Sequence, residues 1–390
     1  MIPVFRPCYG KEEIEAVAEI LKSGWVGLGP KTEQFEREFA DYIKVDHAVA
    51  LNSCTAALHL ALALCDVRGK EVITTPITFV SMNEAILYNG GEPVFCDVER
   101  DTLCIDAAKI EPLITERTAA VVVVHYGGIA CDMDAIADIC RRHGLRLVED
   151  CAHAAGSTYK DSKLGTFGDF GCFSFHAVKN LAVGDGGMIV TNDAAADKRL
   201  RQLRWLGIDK DTWSRVGIDK SEYRWSYTVN EIGWKYHLND LASGIGLVQL
   251  RKLERMNARR RAICQAYLDA FQSVPPIETP RYRAGVEDSA CHNFVIRTPL
   301  RNALGAKLME RGIATSVHYY PNNRYPLFES FRGETPVAFE VADQILTLPV
   351  FPDLSREEQD FVVSSVLEIV ESMARSSTVS SAPKAGAEHG

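Results

Sequence analysis

The stretch Ser174-Phe175-His176-Ala177-Val178-Lys179, followed by the glycine-rich run Gly184-Asp185-Gly186-Gly187, sets one lysine between an apolar strand and a tight turn. Most lysines are solvated surface groups. Lysine is also the side chain that condenses with a carbonyl cofactor to form a Schiff base, because its deprotonated amine is a nucleophile. Lys179 alone decides nothing. It gains weight from Leu145-Arg146-Leu147-Val148-Glu149-Asp150, an apolar strand ending in two carboxylates. In an open α/β sheet, ligands bind at the C-terminal ends of strands. An anion there suits the ring nitrogen of pyridoxal 5'-phosphate (PLP): it keeps that nitrogen protonated, and the protonated ring is an electron sink. For Asp150 the competing reading is an ordinary solvated strand-end acid.

Two further segments follow short strands. Asn52-Ser53-Cys54-Thr55-Ala56-Ala57-Leu58 reads as a turn entering a helix. Ser and Thr there are ordinary caps, but the same turn offers free backbone N–H groups and a favourable dipole to a phosphate. With no Gly-Lys-Ser/Thr pattern, it is not a nucleotide P-loop. Pro76-Ile77-Thr78-Phe79-Val80-Ser81 supplies Phe79, either a core ring or a face for stacking on a flat ligand. Gly165, Gly168 and Gly171 are spaced Gly-x-x-Gly-x-x-Gly, which is not the dinucleotide fingerprint. Six Lys or Arg between Arg251 and Arg261 read as a solvated helix face or subunit rim.

The elements that must position these groups alternate strand and helix, which reads as α/β. Strands are expected at Ala48–Leu51, Glu71–Thr74, Glu92–Asp97, Ala119–Val124, Arg146–Val148, Cys172–Phe175 and Met188–Thr191. Val121–Val124 is apolar throughout, as a sheet covered on both faces requires. Helices are expected at Ala56–Cys65 and at Asp134–His143 with Gly144 as its stop. Asn239 to Phe271 reads as one long helix or a kinked pair with a broken apolar stripe. After that helix the texture changes and Pro275-Pro276 breaks the chain; a boundary is placed near residue 250, so the expected division is 1–250, then 251–373, then a frayed tail over 374–390 rich in Ser, Ala and Gly.

Composition narrows the partners. Forty-three Lys and Arg against 52 Asp and Glu leave a net charge of −9 over 390 residues, which disfavours a nucleic-acid partner. No run reaches about 18 apolar residues, so no membrane span is expected. Met1 to Gly10 lacks a signal-peptide pattern, which points to the cytoplasm. The eleven cysteines are scattered, never Cys-x-x-Cys, and read as buried thiols rather than metal ligands or disulfides.

Taken in order, these sites resemble fold-type-I PLP enzymes: Asp150 stands 29 residues before Lys179, and Ser174 opens a Ser-x-x-x-x-Lys hexapeptide. More narrowly, the chain resembles the DegT/StrS-type sugar-nucleotide aminotransferases. Ser23 to Pro30, Ser53 to Leu58, Thr78-Phe79, Glu149 to Ala154, Ser174 to Gly187, Gly233 to Tyr236 and His318 to Pro321 carry the match, which runs from about residue 3 to 370. The resemblance implies a large domain with a mostly parallel seven-stranded sheet and a smaller C-terminal α/β domain. It implies PLP, or its pyridoxamine form, held by Lys179 and paired with Asp150. Phe79 would stack on the ring and His153 would lie near its phenolic oxygen. Ser53, Cys54, Thr55 and Ser174 would bind the phosphate. Trp25, Val26, Gly27, His318 and Tyr319 would meet the substrate, with Arg204-Trp205 nearby. Lys235 would reach the neighbouring subunit's site in a homodimer. Many relatives have Gly at Cys54 and Asn at Lys235, which leaves the substrate subclass open. The implied activity moves an amino group from L-glutamate to a keto-sugar nucleotide. The rivals are a deoxysugar dehydratase on the same fold and a non-enzymatic DegT-like regulator or sugar sensor. Dehydratase relatives that act without a Schiff base replace the lysine with histidine, so Lys179 favours amino transfer.

Overall fold

The computed structural model describes residues 1–210 and 227–380. Seven strands form the main sheet: β1 (His47–Leu51), β2 (Glu71–Thr74), β3 (Glu92–Phe95), β4 (Thr118–Val124), β5 (Arg146–Asp150), β6 (Phe170–Ser174) and β7 (Gly187–Thr191). Their order is β1-β7-β6-β5-β4-β2-β3. All seven expected strands are present. Neighbours pair in parallel except around β7, which runs antiparallel to both β1 and β6. Helical crossovers link β2 to β3 and β4 to β5, the helix-free segment 151–169 returns the chain from β5 to its parallel neighbour β6, and β6 and β7 are joined by the loop carrying Lys179.

Alternation within β4 covers both faces. Val121 and Val123 join a core with Phe35, Phe39 and Phe173, while Ala120, Val122 and Val124 join Leu58, Leu62 and Ile86 on the other side. The crossover helices are α3 (Cys54–Leu64), α4 (Val80–Tyr88) and α5 (Met133–His143). Asp132 caps α5, accepting from Ala135 N, and Gly144 ends it at φ 64°, a left-handed conformation that costs glycine nothing.

Helices α1 (Lys11–Ser23) and α2 (Pro30–Ile43) pack on a 32-residue helix, Asp240–Phe271, which is continuous rather than a kinked pair. A Cβ at Gly244 would meet Ile20 Cδ1 at 2.2 Å, and one at Gly246 would meet Phe35 at 2.7 Å. The gaps in its apolar stripe are therefore where other helices approach most closely. Leu247, Leu250 and Leu253 belong to the large core, whereas Ile263, Cys264, Tyr267 and Phe271 belong to a separate one. The change of partner falls between Leu253 and Ile263, within a single helix and beyond residue 250. The second core also takes in β8 (Phe294–Arg297), antiparallel to β9 (Ile345–Leu348), and the helices Arg301–Glu310 and Arg356–Ser380. The N-terminal segment is laced to it: Ile2 is buried there, and Ile2 N donates to Gly312 O at 2.8 Å.

Two expectations change. Residues 374–380 continue the last helix instead of fraying, because no Gly or Pro interrupts the chain from Arg356 to Ala382; residues 381–390 lie outside the described residues. The basic run 251–261 is not simply a solvated face: Arg260 is only 2% exposed, and its Nη1 donates to Val350 O at 3.0 Å. Among the described residues no helix is long and apolar enough to cross a membrane. All eleven cysteines are free, and nine are buried.

Candidate active site

The floor of the site is the start of α3. Ser53 caps the helix through its Oγ, which accepts from Ala56 N at 3.0 Å. Among the described residues, the N–H groups of Cys54 and Thr55 meet no acceptor. This turn lies against β7 at Gly187, where a Cβ would come within 2.4 Å of the Ser53 carbonyl carbon. Glycine therefore lets the sheet bring two orphan donors and a helix N-terminus to the strand ends.

The two carboxylates that close β5 part company. Glu149 is saturated: Oε1 accepts from Phe167 N at 2.7 Å and Gly168 N at 2.8 Å, and Oε2 accepts from Gly165 N at 2.8 Å and meets His125 Nε2 at 3.0 Å. His125, Glu149 and Cys151 cluster closely enough to suggest a metal, yet these bonds already occupy the carboxylate. Glu149 is a staple for the loop that carries the three spaced glycines. Asp150 faces the other way. Its Oδ1 accepts from Ala152 N at 2.9 Å, and among the described residues Oδ2 meets no donor. Burial raises its pKa, partly opposed by the Ala152 N–H and the charge of Lys179. Lys179 is pushed down to about 8 by burial, with Asp150 and then Cys54 pulling the other way.

The wall opposite is aromatic. Phe79 precedes α4 and is 59% exposed, so it is not a core ring; its centroid lies 6.1 Å from that of Tyr319. Asn322 holds the two loops together, donating to Thr78 O at 2.9 Å and accepting from Asn83 Nδ2 at 2.8 Å. His153 is buried; its Nδ1 accepts from Gly127 N at 3.2 Å and its Nε2 meets the Tyr319 hydroxyl at 3.0 Å. Burial, then Lys179 and His318, hold its pKa well below the ordinary value. His318 Nδ1 meets Thr347 Oγ1 at 2.8 Å, and burial takes its pKa down to about 4.

These groups enclose a cavity of about 330 Å³. Ser53, Cys54, Thr55, Phe79, Asp150, His153, Ser174, Lys179, His318 and Tyr319 all line it. Trp25, Val26, Gly27 and Lys235 do not. Trp25 Nε1 donates to Leu28 O at 2.9 Å, Gly27 O accepts from Asp240 N at 2.8 Å, and Val26 is exposed. The Lys235 amine lies 3.3 Å from the centre of the Trp205 ring. Arg204 is a buried structural cation, bound to Glu36 and donating to Ala50 O at 3.0 Å. A larger open groove, about 640 Å³, runs between Glu99–Thr102 and Arg281–Val286. Its charges are committed to ion pairs such as Arg283–Glu99 at 2.9 Å and Arg100–Glu340 at 2.6 Å, so it offers no comparable chemistry. The sequence reading missed the buried Asn180 and His292, whose side chains meet at 2.9 Å across 112 residues.

The cavity residues fit PLP on their own terms. A buried carboxylate has one uncommitted oxygen, two helix N–H groups have no acceptor, and a lysine with a lowered pKa lines the same cavity. Such a constellation at the strand ends of a mostly parallel sheet defines a PLP-dependent transferase. The chain belongs to the DegT/DnrJ/EryC1/StrS aminotransferase family, whose model matches residues 7–367. It is 41% identical over 384 residues to the spore coat polysaccharide biosynthesis protein SpsC of Bacillus subtilis, covering 95% of this chain and 97% of SpsC. Its fold superposes on the aminotransferase TlmJ from Streptoalloteichus hindustanus with a TM-score of 0.89 at 36% identity, covering 96% of this chain and 100% of TlmJ. The PLP form of the putative sugar aminotransferase Spr1654 from Streptococcus pneumoniae gives 0.88 at 30% identity, covering 95% of this chain and 99% of that one. The protein is accordingly a PLP-dependent sugar aminotransferase.

Proposed function

We propose that the protein moves an amino group from L-glutamate to the keto carbon of a nucleotide-activated sugar, acting as a homodimer in the cytoplasm. The observation that carries the site assignment is the Lys179–Asp150 pair opening on one cavity above the free amides of α3. In this reading the N–H groups of Cys54 and Thr55, with Ser174, hold the cofactor phosphate. Asp150 keeps the ring nitrogen protonated, and Phe79 covers one ring face. When bound, PLP supplies the electron sink that lets a proton leave the donor's α-carbon. Lys179 Nζ is the base for that proton: with a pKa of about 8 it exchanges protons readily near neutral pH. His153 and Tyr319 line the opposite side and orient ligand oxygens.

The nucleotide-sugar part of the reading rests on the motif resemblance. The homodimer draws on surface composition: Tyr88, Leu206, Val229 and Ile232 are exposed apolar residues on segments joined to the Trp205–Lys235 bridge and to Trp234. Such a patch suits a subunit contact. The experiment is a split reaction. L-glutamate should bleach the visible band of the holoenzyme and release one 2-oxoglutarate per site. A keto-sugar nucleotide should then restore the band, and the free keto sugar should not. No bleaching with glutamate would overturn the donor, and equal rates with the free sugar would overturn the nucleotide.

A further inference from the structure

Asn180 directly follows Lys179 and is 3% exposed. Its side chain is fully committed: Nδ2 donates to Asn257 Oδ1 and to Ala290 O, both at 2.8 Å, and Oδ1 meets His292 Nδ1 at 2.9 Å. The Ala290 carbonyl can only accept, which fixes the orientation of the Asn180 amide. Asn257 is fixed in the same way by its own donation to Ala155 O at 2.9 Å. The proton between Asn180 Oδ1 and His292 therefore sits on His292 Nδ1. A ring buried at 2% exposure and uncharged has one proton, so His292 Nε2 carries none.

His292 is sandwiched. Phe5 stacks on one face, with centroids 5.1 Å apart and planes within 4°, and His153 stacks on the other, at 4.4 Å and 26°. The backbone of His292 also donates to Gly127 O at 3.0 Å. This pins Gly127 from its carbonyl side, and the same residue's N–H is given to His153 Nδ1. With Nδ1 accepting, the single proton of neutral His153 lies on Nε2 and points at the Tyr319 oxygen. Tyr319 then accepts from His153, and its own hydroxyl proton is left for the cavity that it lines.

We propose that Asn180 and His292 are positioning residues that lock the backbone of Lys179 to the ring of His153 and thereby fix Tyr319 as a hydrogen-bond donor into the cavity. With the His153 N–H spent on the Tyr319 oxygen, the proton that this corner presents to the cavity is the Tyr319 O–H. It favours an acceptor oxygen, such as a phenolate or a keto oxygen, at that corner. The proposal rests on the assignment of Lys179 as the reactive amine, but its first test needs neither donor nor sugar.

That test is heteronuclear NMR of holoenzyme carrying ring-nitrogen-labelled histidine. His153 should be protonated on Nε2 alone and His292 on Nδ1 alone. The opposite tautomer or a charged ring at either position would overturn the proposal. This readout uses the unaltered protein, so the unfolding of a variant does not obscure it. The second arm is His292→Phe, which keeps both stacks and deletes only the bond to Asn180. The variant should keep its Tm within a few degrees and show a shifted cofactor absorption band. Its kcat per loaded site should fall about tenfold with KM nearly unchanged, the worth of one oriented hydrogen bond. A folded His292→Phe enzyme with wild-type kcat and an unshifted band would reduce His292 to a packing residue.

Discussion

Lys179 and Asp150 are coupled through charge. Burial disfavours the ammonium form of Lys179 and brings its pKa to about 8, while the anion of Asp150 limits the drop. Acylation of Lys179 in cofactor-free protein should therefore show a pH midpoint near 8, well below that of an exposed lysine. Asp150→Asn removes the group that favours the charged amine, so the midpoint should move further down. A midpoint near the model-peptide value of about 10.4, or an upward shift in the variant, would contradict this geometry. From about pH 8 to the ordinary lysine pKa, the unfolded chain holds a proton here that the folded chain lacks, so this residue's contribution to stability rises with pH across that window.

The elements were legible to different depths. The strands could be read because their apolar runs are short and bounded, and Val121–Val124 announced a sheet buried on both faces. The antiparallel direction of β7 could not be read, since an apolar run has no direction. It follows from the short return loop that carries Lys179. The single long helix was ambiguous because Gly244 and Gly246 look like breaks, yet they are the positions where Ile20 and Phe35 come closest. Ten of the sequence-named site residues line one cavity, and of these Ser53, Cys54, Thr55, Phe79, Asp150 and Ser174 sit at element ends, as strand-end and helix-start motifs should. Trp25, Val26, Gly27 and Lys235 lie on turns whose direction depends on tertiary contacts, and within one chain they fall outside it. Asn180 and His292 were silent because an amide and a ring so far apart in sequence carry no local pattern.

At the scale of the molecule, two cores share one helix, and the site lies where the large sheet meets the loops around His318. Lys235 rests on Trp205 in its own chain and is exposed, which leaves its amine available to a partner. In the homodimer reading it serves the neighbouring site. Mixing Lys235→Ala with Lys179→Ala subunits should then return activity toward half of wild type per heterodimer, because one site regains both lysines. If Lys235 serves its own subunit, each site keeps one lesion and no recovery will appear.

In the proposed function Lys179 is the amine that carries the cofactor. Borohydride reduction of the holoenzyme followed by proteolysis and mass spectrometry tests it most directly. A pyridoxyl group is expected on the peptide containing Lys179, and none in Lys179→Ala. A pyridoxyl group on Lys235 or any other lysine, with Lys179 unmodified, would contradict it.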